Sequence, residues 1–372
     1  MLKIVDVVYH CHHEYDQPQG VLEKHSRSLG FVEHIKDRVN YEVITHLNYE
    51  GKEIIDNVSY SFFKRSNKPW QIPFKTHKYI KSVKPDVVLV HGFVFPLQVI
   101  ALKFAVGKNC RIILHHHADK PAASIRRIFQ RLADHCIDAY MFTAIGLAQP
   151  WIDHKIIHDR NKAVEVLGAS TYIKKRNKLF CKNQLGIAGT HNFLWVGRLN
   201  SNKDPLTVLK GFHKHVLKYT DARLYMIYQT DELLEEIRQE ISRHDILQTN
   251  VYMIGKKDEA TLADWYSATD FFISGSHSEG SGYALVEAMH CGCIPVVTDI
   301  PSFNKLTADG KYGLLYEPGN VDELAAVLDR LQTVDINTIS QQVYQHAQNK
   351  LGFKNIADEL FNLCTALTFV KQ

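Results

Sequence analysis

At 372 residues the chain is longer than one hydrophobic core normally serves, so about two domains are expected. Hydrophobic residues make up 45% and charged residues 23%, which excludes a largely disordered chain. A net charge of +4 is too mild for a nucleic-acid binder, and no motif has DNA- or RNA-binding spacing.

The seven cysteines are scattered, odd in number and lack a CxxC pair. That pattern argues against a disulfide framework or a zinc ribbon and favours a reducing compartment, the cytoplasm. The N-terminal "MLKIVDVVYHCHHEYD" turns polar and acidic after about ten residues, so it reads as a first strand and not as a signal peptide. No apolar run approaches the ~18 residues that span a bilayer.

After this first strand, short β-branched runs alternate with helical patterns along the chain, the rhythm of βαβ units on a parallel sheet. In the first half the expected strands are "LKIVDVVY", "YEVITHL", "DVVLVHG", "RIILHHH", "AYMFTA" and "AVEVLG". The stretch Ser170 to Asn192 is basic, polar and without a strong period, and is expected to be a linker. Then follow "NFLWVGRL", "RLYMIY", "NVYMIG", "FFISGS", "IPVVTD" and "YGLLYE", with helices predicted over Pro205 to Leu217, Glu232 to Ile241 and Thr261 to Ala268.

Strands this apolar are covered on both faces. The expectation is an α/β protein of two doubly wound, Rossmann-like domains, 1–175 and 190–350, with a C-terminal helix in 354–372 packing across to the first domain. Ligands of such sheets bind beyond the carboxyl ends of strands, so two facing domains would enclose a central cleft.

The strand "FLWVG" runs into "RLNSNKDPLTVL", which places Arg198 and Lys203 in a loop ended by Asp204-Pro205, a good N-cap and first helical residue. Two cations there can clamp a diphosphate, Arg as a planar fork and Lys as a point charge, or can simply be solvated. The stretch "SHSEGSGYALVEAM" favours the clamp. Its glycines let the backbone approach an anion, and the helix beginning near Ser281 directs free N–H groups at it.

Glu279 and Glu287 flank this helix start. Eight helical steps would set them ~12 Å apart, beyond the roughly 5–9.5 Å of a glycosidase acid pair. Each is therefore expected to accept from its own hydroxyls, Glu287 from a ribose and Glu279 from a sugar. The alternatives are a charge on the helix dipole for Glu279 and an exposed helix residue for Glu287.

The segments "FLWVGRLNSNKDP", "YMIGKKDEATLADWYSATDFFISGSHSEGSGYALVEAMHCGCIPVVTDI" and "YGLLYEPGN" together resemble the second domain of retaining glycosyltransferases of family 4 (glycosyl transferases group 1), which have the GT-B fold. The likeness runs from Phe193 to about Asn320, and the E-x7-E pair matches Glu279 and Glu287.

The resemblance implies that Arg198 and Lys203 bind the nucleotide diphosphate, Glu287 the ribose and Glu279 the region of the donor sugar. The amides of Gly280, Ser281 and Gly282 would help hold the donor, and Gly255 and Lys256 would lie beside the nucleobase. In the first half, "DQPQGVLEKHSRSL" is similar to a loop and helix that often open with two glycines, of which only Gly20 is present here. "RIILHHHADKP" resembles the strand end that carries the family's active-site histidine, in a register giving His117, with His116 next; His91-Gly92 is a further strand-end candidate. Tyr228 and Gln229 stand where many relatives have a glycine.

No DxD and no metal-ligand spacing occurs, and "YHCHHEYD" is at most a weak transition-metal binder, so metal-independent chemistry without a cofactor is expected. The implied reaction is hexosyl transfer with retention from a nucleoside diphosphate sugar to a hydroxyl acceptor, glycan or lipid-linked. Closure of the two domains would exclude water.

The acceptor is expected on the first domain. There Phe62 to Lys84 mixes cations with aromatics, and "SIRRIFQR" adds Arg126, Arg127 and Arg131, a patch suited to an anionic membrane or simply to water. The rival readings are a nucleotide-sugar epimerase of the same architecture and a non-catalytic sugar-nucleotide binding protein. A nicotinamide dehydrogenase is disfavoured, because no G-x-G-x-x-G follows a first strand.

Overall fold

The structure is a computed structural model that describes residues 1–64, 68, 70–117 and 119–369, with side chains except at 24–27. The chain divides into two compact units, one of 1–170 with 353–372 and the other of 171–352.

In the first unit, β1 (Leu2–His12), β2 (Val39–Leu47), β3 (Gly51–Ile55), β4 (Val58–Phe63), β5 (Val87–His91), β6 (Arg111–His115), β7 (Ala139–Phe142) and β8 (Ala163–Glu165) form one sheet. Its order is β3-β4-β2-β1-β5-β6-β7-β8. The central strands are parallel and buried on both faces, with Ile4, Val5, Val7, Val88, Val90, Ile112 and Ile113 closed to solvent.

The hairpin of β3 and β4 is antiparallel and was not expected from the sequence. Its turn is Asp56-Asn57, both at positive φ (50° and 67°), the conformation that a two-residue hairpin needs and that Asp and Asn tolerate. The signal was present in "IIDNVS", where it stood among residues without clean alternation.

The chain returns to this unit through the helix Phe353–Phe369. Its Arg38 contacts are an ion pair of 2.8 Å to Asp358 and a guanidinium 4.8 Å above the ring of Phe361. Phe353 packs where a Cβ on Gly30 would come within 2.7 Å of its ring, so the helix start seats against a residue without a side chain. The expected C-terminal segment reaches 372, but 370–372 lie outside the described residues.

In the second unit, β9 (Asn192–Gly197), β10 (Arg223–Tyr228), β11 (Val251–Met253), β12 (Phe271–Ser274), β13 (Ile294–Thr298) and β14 (Leu314–Tyr316) form a fully parallel sheet in the order β11-β10-β9-β12-β13-β14. Phe193, Trp195, Phe212, Phe271 and Leu324 pack in its core. Strands β9 to β11 progress one way and β12 to β14 the other, so the topological switch lies between β9 and β12. Ligands of doubly wound sheets bind at that point.

The stretch expected as a linker holds the helix Lys178–Leu185, capped by Asn177, whose side chain accepts from the Phe180 amide at 2.9 Å, and ended by Gly186 in the left-handed region. It belongs to the second unit. Its basic residues are committed to acids there, Lys178 and Lys182 to Asp270 and Arg176 to Asp264. A helix this short, with its charges in ion pairs, shows little hydrophobic period.

Candidate functional site

The switch point gathers two loops. After β9, Lys203 donates its backbone N–H to Asn200 O at 3.1 Å, and Asp204 takes up left-handed φ (39°) as N-cap of the helix Pro205–Val216. Its Oδ1 accepts from the Thr207 amide at 3.1 Å, the cap that Asp-Pro predicts. After β12, Gly275 passes so close to this turn that a Cβ would lie 2.6 Å from Asp204 O.

Three further contacts stitch the loops together. His277 N–H donates to Asn202 O at 2.8 Å, Asn202 Nδ2 donates to Ser278 O at 3.0 Å, and His277 Nε2 lies 3.0 Å from Asp204 Oδ2.

Across this seam the Lys203 ammonium donates to Glu279 Oε1, joining residues 76 apart in sequence. The Glu279 carbonyl accepts from Ser302 Oγ, so the start of the neighbouring helix Pro301–Thr307 fixes the loop from behind. Gly282 is in the left-handed region (φ 62°) as N-cap of the helix Tyr283–His290, and a Cβ there would meet Leu306 at 2.9 Å. Gly282, as N-cap, has no side chain to cap this helix start, and the loop of Gly280 and Ser281 leads directly into its positive end. Arg198 is exposed just beyond β9 and makes no side-chain hydrogen bond or ion pair with any described residue.

Glu287 lies one turn inside the helix and is 2% exposed, which disposes of the exposed-residue alternative. Its Oε2 accepts from the Tyr266 hydroxyl at 3.0 Å. Burial, with this carboxylate beside it, pushes the Tyr266 hydroxyl well above the ordinary tyrosine range, so it remains a donor. The two glutamates thus have separate partners, a lysine for one and a tyrosine for the other. Tyr266, Asn202, His277 and Ser302 went unnoticed in the sequence, since single polar residues far away in the chain carry no spacing signal.

Gly255 and Lys256 follow β11, with Gly255 at φ 75° and its carbonyl accepting from the Tyr228 amide at 3.3 Å. The Tyr228 turn is tied to the β9 loop, because Thr230 Oγ1 accepts from the Leu199 amide at 2.9 Å.

In the first unit, Gly20 is not in a loop: it lies inside the first turn of the helix Pro18–Leu29, and the ring of Tyr15 fills the place of its Cβ at 2.4 Å. His116 is buried, its Nε2 2.9 Å from Asp119 O and its ring against Phe142 and Trp151. His117 turns the other way, its Nε2 2.7 Å from His91 Nδ1. His115, the last residue of β6, joins those two, a grouping of three histidines that spacing along the chain did not reveal. Burial, together with the neighbouring imidazoles, holds His115 well below the ordinary histidine range.

The chain is similar to proteins of known class. Residues 179–347 match the family model of glycosyl transferases group 1. Alpha-monoglucosyldiacylglycerol synthase of Streptococcus pneumoniae is 30% identical over 184 residues, 48% of this chain and 41% of that protein. GDP-mannose:cellobiosyl-diphosphopolyprenol alpha-mannosyltransferase of Xanthomonas oryzae is 28% identical over 260 residues, 68% of this chain and 65% of that protein. The matched region thus spans less than two thirds of either relative.

Among solved structures, Anabaena HepE in complex with UDP has a TM-score of 0.74 at 15% identity, covering 98% of this chain and 100% of that one. Sucrose-phosphate synthase of Thermosynechococcus elongatus has a TM-score of 0.73 at 14% identity, covering 99% and 100%. The fold is GT-B.

Proposed function

We propose that the chain is a retaining glycosyltransferase that moves a sugar from a nucleoside diphosphate to a hydroxyl acceptor without a metal ion. The observation that carries this is the Lys203–Glu279 contact, which sets a cation from the β9 loop against the glycine-rich loop at the switch point of the sheet.

In this reading the amides of Gly280 to Gly282, at the helix start, receive the diphosphate with Lys203 and Arg198. Glu287, one oxygen held by Tyr266, accepts from the ribose hydroxyls, and Glu279 faces the sugar. Gly255 and Lys256 flank the base. His117 is assigned to the sugar by resemblance alone; His116, buried on Phe142 and Trp151, is the weaker candidate, and the ring of Tyr15 argues against phosphate approaching Gly20 from its Cβ side.

In the transfer itself, the bond from the anomeric carbon to the β-phosphate oxygen breaks and one to the acceptor oxygen forms on the same face. The acceptor proton passes to the departing phosphate oxygen. Arg198, Lys203 and the helix-start amides stabilise the charge that develops there, which is the part a metal would otherwise play.

The relatives' printed names include glucosyl transfer to a diacylglycerol and mannosyl transfer to a diphosphopolyprenol, and neighbouring structures hold UDP or UDP-glucose. A glycan or lipid-linked acceptor, used in cell-envelope or glycolipid synthesis at the cytoplasmic face of a membrane, fits that company. No helix among the described residues is long and apolar enough to cross a membrane.

On the helix Ser124–Asp134, however, Ile125, Ile128 and Leu132 are 68%, 54% and 50% exposed at i, i+3, i+7 spacing beside Arg126. An apolar stripe edged by cations supports lying on an anionic surface. Trp70 and Phe74 are exposed as well. Within the basic stretch Phe62 to Lys84, Arg65, Ser66, Asn67 and Pro69 lie outside the described residues.

A thermal-shift screen of UDP-, GDP- and ADP-sugars identifies the donor, since a bound ligand raises stability by mass action. Arg198→Ala and Lys203→Ala should each lower transfer by about 10²–10³ with the fold intact, and EDTA should leave the wild-type rate unchanged. Full activity in either variant would overturn the diphosphate assignment. Conversion of the donor with no acceptor present would point to an epimerase instead.

A further inference from the structure

His115 closes β6 and sits in register with His91 at the end of β5, and His117 follows two residues later. The three ring centroids are 4.3, 4.9 and 5.1 Å apart, and one ring nitrogen from each lies within 4.8 Å of the others. His115 is 2% exposed, and neither of its ring nitrogens has a hydrogen-bond partner among the described residues. A buried imidazole without a partner is costly, and such groups mark functional positions.

Behind the trio stands an acid. His91 Nε2 is 2.7 Å from Asp6 Oδ1, an ion-pair distance without hydrogen-bond alignment, and Asp6, fully buried in β1, accepts the Tyr41 hydroxyl on Oδ2 at 2.8 Å. A carboxylate on the far nitrogen of a histidine is the arrangement that orients metal-bound imidazoles and raises their basicity. These residues lie beside the switch between β1 and β5, the ligand-binding point of this sheet.

From this geometry we propose that His91 (through Nδ1), His115 and His117 form a binding site for a divalent transition-metal ion, with Asp6 as the outer partner of His91. Three imidazoles without a coordinating carboxylate select zinc, cobalt, nickel or copper over magnesium or calcium. Tetrahedral binding at about 2.0–2.1 Å needs nitrogens about 3.3 Å apart, so a trio whose nitrogens lie within 4.8 Å would draw together on binding. The fourth position would be open to water. The ion takes no part in the transfer chemistry read above, which uses no metal.

The test reads binding, so it stands whether or not that reading of the reaction does. The full chain, stripped with chelator, is titrated with Co²⁺ by visible absorption and with Zn²⁺ by equilibrium dialysis. One equivalent is expected, with the intense cobalt bands of four-coordination. His91→Gln and His117→Gln should abolish it, and Asp6→Asn should weaken it about 10- to 100-fold. His10→Gln and His13→Gln, in the other histidine-rich stretch, should leave it unchanged.

Absence of stoichiometric binding would overturn the proposal. So would binding that survives His117→Gln, or that disappears with His10 or His13.

Discussion

The pairing of Glu287 with Tyr266 lets the proposed ribose contact be tested apart from the fold. Tyr266→Phe keeps the ring, which is fully buried, and removes only the hydroxyl that donates to Glu287 at 3.0 Å. A carboxylate 2% exposed then loses a donor, at a cost of about 1–3 kcal/mol. For a unit of this size each kcal/mol moves the melting point by roughly 2–4 °C, so the second unit should melt about 2–12 °C lower.

Glu287→Gln does the opposite. The amide carbonyl still accepts from Tyr266, so the melting point should barely move. Its other terminal group becomes an NH2 in place of a charged acceptor, and a ribose hydroxyl loses a charge-assisted bond of about 1.5–3 kcal/mol, a roughly ten- to hundred-fold weaker Kd for the nucleoside diphosphate. Scanning fluorimetry and isothermal titration with UDP and GDP measure both quantities. If Glu287→Gln unfolds the unit, or binds nucleotide as tightly as the wild type, the ribose assignment fails.

Gly275→Ala places a Cβ 2.6 Å from Asp204 O; it should force the two loops apart, cost about 1–3 kcal/mol and weaken transfer, and an unchanged melting point would show that the seam is not tight. In anionic vesicle flotation at low salt, Ile128→Glu should lose binding that the wild type shows, whereas wild-type protein that stays unbound would remove the membrane surface from the reading.

His290 is 4% exposed, and burial lowers its pKa although its Nδ1 bonds to Val286 O. The unfolded chain therefore takes up a proton below about pH 6.5 that the folded chain resists. The stability from keeping His290 neutral is present above that pH and is lost as pH falls below it. His290→Asn should flatten the fall in melting point between pH 7 and 5.5, and parallel profiles would refute the linkage.

The parallel strands were legible because they are continuous apolar runs, and the Asp204-Pro205 cap because it is local chemistry. The hairpin of β3 and β4 was missed where its Asp56-Asn57 turn stood without alternating flanks. The helix Lys178–Leu185 was read as linker because ion pairs with Asp264 and Asp270, 88 and 92 residues from Arg176 and Lys178, stand in for a hydrophobic stripe.

Within the candidate site, local motifs and the family resemblance pointed to Arg198, Lys203, Glu279 and Glu287, and the eight-residue spacing argued against an acid–base couple. It could not say what each carboxylate touches. That Lys203 meets Glu279, that Tyr266 holds Glu287 in the interior, and that His91 faces His115 and His117 in front of Asp6 were decided by the folded chain. Local patterns are written by neighbours three or four residues apart. Contacts between residues far apart in the chain, such as Lys203 with Glu279 or His91 with Asp6, depend on which strands the parallel sheet sets side by side.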